Sequence, residues 1–304
     1  MTCPTISIVI PCFNHGEYVG QALDSIRKLG RNDVEILVVN DGSTDFETIR
    51  ILNEIASENI RVLHQENSGV AAARNFGIQN STAPYFLPLD ADNILFAPYL
   101  SDGLAWLETH PNCSVVYGDA RIFGEKDGTW CNHPLKLDEI VFENYIDNCA
   151  LIRKSAWEKV GGYDTQSPVA TREDYIFWLD LLYKGFDFHH LKDFCFGYRY
   201  LENSKVRRLY KDLKKRLLIE EYIFFRQSRL IRKSVSIGQL DRNQQKRIMG
   251  KLLLKLAHNH LGFGSILSGY NFLCRSLYYD FVFFSLIKVG FGWPIRRLLK
   301  RANA

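Results

Sequence analysis

Between residues 6 and 89 the chain alternates short β-branched runs with amphipathic stretches, and this alternation limits its fold more than any other feature. Residues 6–10 and 34–39 are nearly unbroken runs of Ile, Val and Leu, the pattern of strands buried on both faces. Between them Val19, Ala22, Leu23, Ile26 and Leu29 recur at helical spacing over residues 17–29, and Gly30 supplies a stop. A helix over about 47–57, a strand over 60–63, an Ala-rich helix over 69–78 and a strand over 85–89 continue the series. Strands alternating with helices predict an α/β fold, with a mainly parallel, Rossmann-like central sheet flanked by helices.

In such sheets ligands sit beyond the carboxyl ends of the strands. Polar residues fall at three of those ends: Pro11 to Asn14, Asp41, and Asp90 with Asp92. Parallel strands would bring these separated groups to one edge, which is the main indication of a site.

Past about residue 118 the pattern changes. Residues 124–134 read as a polar loop, 150–152 as a short strand, and 155–160 as a helix stopped by Gly161-Gly162. Residues 173–183 form a helix with a strongly apolar face, and 186–200 are largely strand-like. From residue 205 the chain reads as helical and basic, so the expected division is 1–204 and 205–304. The charge supports it: residues 1–204 hold 16 Lys and Arg against 29 Asp and Glu, whereas 205–304 hold 22 against 5. With 46% hydrophobic and 24% charged residues, whole-chain disorder is excluded. Seven irregularly spaced cysteines without a CxxC pair imply neither a disulfide framework nor a zinc site, and fit a reducing, cytoplasmic setting. The longest apolar stretch, near 281–291, is broken by Lys288 and at ~1.5 Å per residue is too short for a ~30 Å membrane core.

Several residue groups carry possible chemistry. Asp90-Ala91-Asp92 puts two carboxylates one residue apart at a strand end, hard oxygen ligands suited to a divalent cation on a diphosphate. Asp41, beside Gly42 and Ser43, suits turn building or hydrogen bonding to a nucleobase edge. Arg74 can pair with a phosphate or a base, or cap a helix. Glu173 and Asp174 open an apolar helix, where acidic residues favour the macrodipole; one of them could also act as a general base.

Taken in order, Val9-Ile10-Pro11-Cys12-Phe13-Asn14, Val38-Val39-Asn40-Asp41-Gly42-Ser43-Thr44, Asn67-Ser68-Gly69, Ala73-Arg74-Asn75-Phe76-Gly77, Leu89-Asp90-Ala91-Asp92, Gly161-Gly162-Tyr163-Asp164 and Arg172-Glu173-Asp174-Tyr175 resemble the inverting family 2 glycosyltransferases of GT-A fold. The resemblance covers about residues 4–204. It implies transfer of a sugar from a nucleotide-sugar, a UDP-sugar by family weight, to a hydroxyl of a glycan or lipid-linked glycan acceptor, in bacterial surface polysaccharide or other glycan synthesis. It implies that Pro11, Phe13, Asn14 and Asp41 hold the base and that Arg74 contacts the nucleotide. Asp90 would reach the ribose, Asp92 would hold Mn²⁺ or Mg²⁺, and Asp174 would be the base, with Glu173 its rival. The family more often has Tyr at position 13 and Asp at position 93, where this chain has Phe13 and Asn93. No His follows Tyr198-Arg199, where many members carry one.

Two other readings differ in class. A sugar nucleotidyltransferase would need a Gly-rich basic loop after the first strand, which Pro11-Cys12-Phe13-Asn14-His15 does not supply. A non-catalytic nucleotide-sugar binding module would keep Asp41 and Asp92 without needing Asp174. The basic clusters around Arg207, Arg208 and Lys211 to Arg216, and around Arg296, Arg297, Lys300 and Arg301, suit either a solvated helical face or peripheral contact with an anionic membrane. No nucleic-acid motif accompanies them.

Overall fold

A computed structural model describes residues 3–56, 59–167, 171–204 and 211–262, and beyond them 264, 265, 268, 269, 271–273 and 275. The chain divides into two compact units, Met1–Asp212 and Leu213–Ala304.

The first unit opens with β1 (Ile6–Cys12), α1 (Gly16–Arg27), β2 (Val34–Asp41), α2 (Phe46–Glu54), β3 (Ile60–Gln65), α3 (Val70–Gln79) and β4 (Tyr85–Pro88). β1 pairs in parallel with both β2 and β4, and β2 with β3. Side chains alternate across the sheet. Ile6, Ile8 and Ile10 join one core with Val19, Leu23 and Ile26 of α1. Val9 and Val39 lie under α3, where Gly77 sits so close that a β-carbon would come within 2.4 Å of Val9 Cγ1. Gly77 is therefore the small residue that lets α3 settle on the sheet.

The unit continues with β5 (Ile94–Leu95), α4 (Tyr99–Thr109), β6 (Cys113–Gly124), β7 (Gly128–Trp130), α5 (Leu137–Ile140), β8 (Leu151–Arg153), α6 (Lys154–Val160), α7 (Glu173–Lys184) and β9 (Asp187–Tyr200). Strand order is β3-β2-β1-β4-β8-β6-β9-β5, with β7 paired to β6. The first four strands are parallel, as expected. β8 is antiparallel to both its neighbours, β6 and β9 are parallel, and β5 is antiparallel to β9. The second half of the sheet is thus mixed. Residues 124–134, expected to be a loop, contain β7, which folds back on β6 through Ala120↔Trp130 and Ile122↔Gly128.

This topology positions the site. β4 lies in mid-sheet and ends at Pro88, two residues before Asp90, and β5 follows within a few residues and pairs with β9 through Ile94↔Gly197. The turn from Asp90 to Asn93 is therefore held between the central strands and the end of β9.

In the second unit α8 (Leu213–Ser236) and α9 (Arg242–Gly262) form an antiparallel hairpin. Lys255 pairs with Glu220 at 3.1 Å, and Arg216 donates to Asn259 Oδ1 at 3.3 Å. Arg207, Arg208, the 281–291 stretch and the cluster at 296–301 lie outside the described residues. Among the described residues no helix is long and apolar enough to cross a membrane.

Candidate active site

The carboxyl edge of the parallel strands carries two braced loops. Asn14, in the left-handed region at φ 53°, accepts from the N–H groups of Thr44 and Asp45 through its side-chain oxygen and donates to Thr44 Oγ1. It joins the loop after β1 to the loop after β2. Its side chain braces the two loops, and its oxygen is already engaged. Phe13, beside it, is 44% exposed, an aromatic face left open at a strand end. Pro11 stands opposite Val39 in the β1–β2 register.

Asp41 is buried and accepts three hydrogen bonds: from Gln65 Nε2 at 2.7 Å, Ser68 N–H at 2.8 Å and Gly69 N–H at 3.0 Å. It shapes the Asn67-Ser68-Gly69 loop. A carboxylate has about four acceptor positions, and these three bonds fill most of them.

Arg74 does not present a free cation to a phosphate. It is 3% exposed, donates to Asp90 Oδ1 at 2.7 Å, and pairs with Glu173. Burial acts against its charge, but Asp90 and Glu173 outweigh that and hold its pKa above the ordinary guanidinium value. Its contact with a nucleotide would run through Asp90. The same pairing engages Glu173, the rival base. Asn75 locks this helix in place: its Oδ1 accepts from Tyr163 N–H and Trp157 Nε1, and its Nδ2 donates to Tyr163 O. The Gly161-Gly162 turn, with φ of 86° and 83°, makes that approach possible.

Asp92 is half-buried. Desolvation and the neighbouring Asp90 push its carboxyl up to about 6, against His15 and Arg199. Arg199 donates through Nε to Asp92 O at 2.9 Å and through Nη2 to Gln21 Oε1, and its planar head lies between the rings of Tyr18 and Phe123. Asn93, where the family often has Asp, accepts from the Arg199 N–H at 2.9 Å. It therefore clamps the turn to β9, a role an extra carboxylate would not fill better.

Asp174, also half-buried, accepts from Asn144 Nδ2 at 2.8 Å and from the Tyr175 N–H at 2.7 Å. Burial and Glu173 push it up to about 6. Sequence reasoning missed Asp147, which burial and then Asp90 push up to about 7, with Asp174 adding to the effect. Only tertiary proximity marks it, since nothing periodic surrounds it in the sequence.

Asp90, Asp92, Asp147 and Asp174 thus share one acidic region, where the only buried cation among the groups just named is Arg74. A nucleotide diphosphate would be repelled there unless a cation came with it. Hard carboxylate oxygens fit a divalent cation. Among the described residues no three His, Cys, Asp or Glu gather closely enough to enclose one. A cation at this edge would need ligand oxygens and water to complete its shell.

The sequence matches the profile of glycosyl transferase family 2 over residues 7–167. It is 28% identical over 194 residues to an "Uncharacterized glycosyltransferase" of Rickettsia felis, covering 59% of this chain and 32% of that one. It is 31% identical over 180 residues to a "PGL/p-HBAD biosynthesis glycosyltransferase" of Mycobacterium tuberculosis, covering 58% and 69%. The chain spans about a third of the length of the Rickettsia felis relative. Among solved structures, S. aureus TarS 1-349 in complex with UDP-GlcNAc superposes with a TM-score of 0.60 at 15% identity, covering 88% of this chain and 89% of that one. That likeness establishes the fold.

Proposed function

Because the chain belongs to glycosyl transferase family 2, we propose that it moves a sugar from a UDP-sugar to an acceptor hydroxyl with inversion, in synthesis of a bacterial surface polysaccharide or related glycan. Residues 1–204 are the catalytic domain, working on the cytoplasmic side, and residues 205–304 are an extension. The observation that carries the reading is the acidic region itself. Asp174, with raised proton affinity, follows Glu173, which Arg74 ties to Asp90 at the turn that also carries Asp92.

Phe13 stacks on the base and Asp41 accepts from its N–H. Asp90, oriented by Arg74, reaches the ribose. Asp92 holds Mn²⁺ or Mg²⁺, which when bound neutralises charge on the departing diphosphate. Asp174 takes the proton of the acceptor hydroxyl. The acceptor oxygen bonds to the anomeric carbon as the bond to the phosphate oxygen breaks, so UDP leaves from the opposite face and configuration inverts.

A thermal-shift screen of UDP-, GDP- and dTDP-sugars, with and without Mn²⁺ or Mg²⁺, tests donor and metal together. A donor at 100 times its Kd stabilises the fold by ~2.7 kcal/mol. The expected result is a UDP-sugar shift that needs the cation and loses that dependence in Asp92→Ala. Equal shifts with and without cation in wild type would overturn the metal assignment. Binding without transfer to any glycan or lipid-linked acceptor would favour a non-catalytic binding module, and formation of nucleotide-sugar from a nucleoside triphosphate and a sugar phosphate would favour a nucleotidyltransferase.

The excess of 22 basic over 5 acidic residues in 205–304 supports peripheral contact with an anionic membrane bearing the acceptor. A chain lacking residues 290–304 should be released from phosphatidylserine vesicles at physiological salt. Retention equal to that of the full chain would remove this assignment.

A further inference from the structure

The stretch leading into β8 carries a carboxyl that the steps above do not use. Asp147 Oδ1 accepts from the Cys149 N–H at 2.8 Å, and Oδ2 has no partner among the described residues. The side chain is only half-buried, so solvent reaches it. It feels the charges of both Asp90 and Asp174.

A second observation stands beside it. Two buried donors, Asn148 Nδ2 and Arg74 Nε, have no acceptor among the described residues. Asn148 is 4% exposed and Arg74 3%. Both adjoin Tyr163: its hydroxyl donates to Asn148 Oδ1 at 2.8 Å, and the Arg74 guanidinium carbon lies 5.6 Å from its ring centre. Buried polar groups in folded proteins are satisfied as a rule. The two orphaned donors lie on residues that tie this segment to the site: Asn148 follows Asp147 in the chain, and Arg74 donates to Asp90 at 2.7 Å, while Asn144 of the same segment donates to Asp174 Oδ2 at 2.8 Å.

Geometry decides which part of the ligand belongs there. In a single displacement the anomeric carbon lies between the diphosphate, on the side of Asp90 and Asp92, and the acceptor oxygen, on the side of Asp174. A segment tied to Asp174 through Asn144 and to the Arg74–Asp90 pair through Asn148 and Tyr163 flanks the transferred ring. We propose that Asp147 contacts hydroxyl groups of the transferred sugar and is a specificity-determining residue for the donor, with Asn148 in support. This rests on the glycosyltransferase reading above. Sugar hydroxyls donate to Asp147 Oδ2, and a site built on such bonds discriminates against a sugar that lacks or misplaces one.

Calorimetry on the full chain with Mg²⁺ or Mn²⁺ measures the Kd of UDP, UDP-glucose, UDP-galactose and UDP-N-acetylglucosamine for wild type, Asp147→Asn and Asp147→Ala. The expected result is that Asp147→Ala weakens the preferred UDP-sugar about tenfold and flattens the ranking among sugars, with UDP itself unchanged within about twofold. Asp147→Asn keeps the shape and the Asx bond to Cys149, so it guards against a loss caused only by misfolding. An unchanged ranking in both variants, or equal weakening of UDP and UDP-sugars, overturns the proposal. If wild type binds no nucleotide-sugar of any base, the glycosyltransferase reading fails and this inference with it. If it binds them normally and only the ranking test fails, the fault lies with Asp147 alone.

Discussion

Asp174→Asn should reduce sugar transfer by about 10²- to 10⁴-fold while leaving nucleotide-sugar binding within a small factor of wild type, the range that a positioned general base contributes. Asp174 opens α7, a rigid element, and two hydrogen bonds fix its carboxyl. Burial and Glu173 favour its neutral form, so in the free protein it ionises near 6 rather than in the usual carboxylate range. The pH dependence follows in sign. The base must be ionised to accept a proton, so kcat/KM should rise with pH through about 6 and level off above it. Stability runs the other way. A carboxyl raised on folding contributes stability that is complete below its unfolded value and is lost as pH rises through about 6. The Asn variant should therefore lose less stability than wild type between about pH 4 and 6, because it has no such group to ionise. Transfer at the wild-type rate by Asp174→Asn would refute the assignment and turn attention to Glu173. Loss of donor binding together with activity would make Asp174 a binding group instead.

Arg74→Met should strongly destabilise the first unit. The arginine sits between Asp90 and Glu173, and removing it strands Glu173, 9% exposed, without its counter-charge. Breaking a buried pair from one side costs about 3–5 kcal/mol. Asp90, 36% exposed at its side chain, adds little because water screens it. For a domain of about this size, roughly 2–4 °C of melting temperature is lost per kcal/mol, so a drop on the order of 10 °C is expected by calorimetric melting. The double variant Arg74→Met with Glu173→Gln should recover part of it, because the stranded charge is gone. A melt of Arg74→Met indistinguishable from wild type would show that the pairing does not hold α3 to the start of α7. Partial recovery in the double variant would also separate this structural role from nucleotide contact, which Glu173→Gln cannot restore.

Much of the first half of the sheet was legible from periodicity. β1, β2 and β4 are apolar runs because helices cover both faces, and the turns that end them are polar because they leave the core. α4 and β6 passed unassigned: the first half of β6 is buried residue after residue, so it shows no alternation to mark it as a strand. The three residues of β7 carry no period that separates them from a loop, and only pairing with β6 makes them a strand.

The candidate site divides along the same physical line. Local pattern placed Asp90, Asp92 and Asp174 at element ends, because hydrophobic burial and the period of strand or helix are short-range properties of the chain. It could not assign partners. That Arg74 joins Asp90 to Glu173, that Asn14 braces two loops, that Arg199 clamps the Asp92 turn, and that Asn144, three residues before Asp147, bonds Asp174 depend on charge and hydrogen bonding. Those act through distance in space, and the packing of remote segments alone sets that distance.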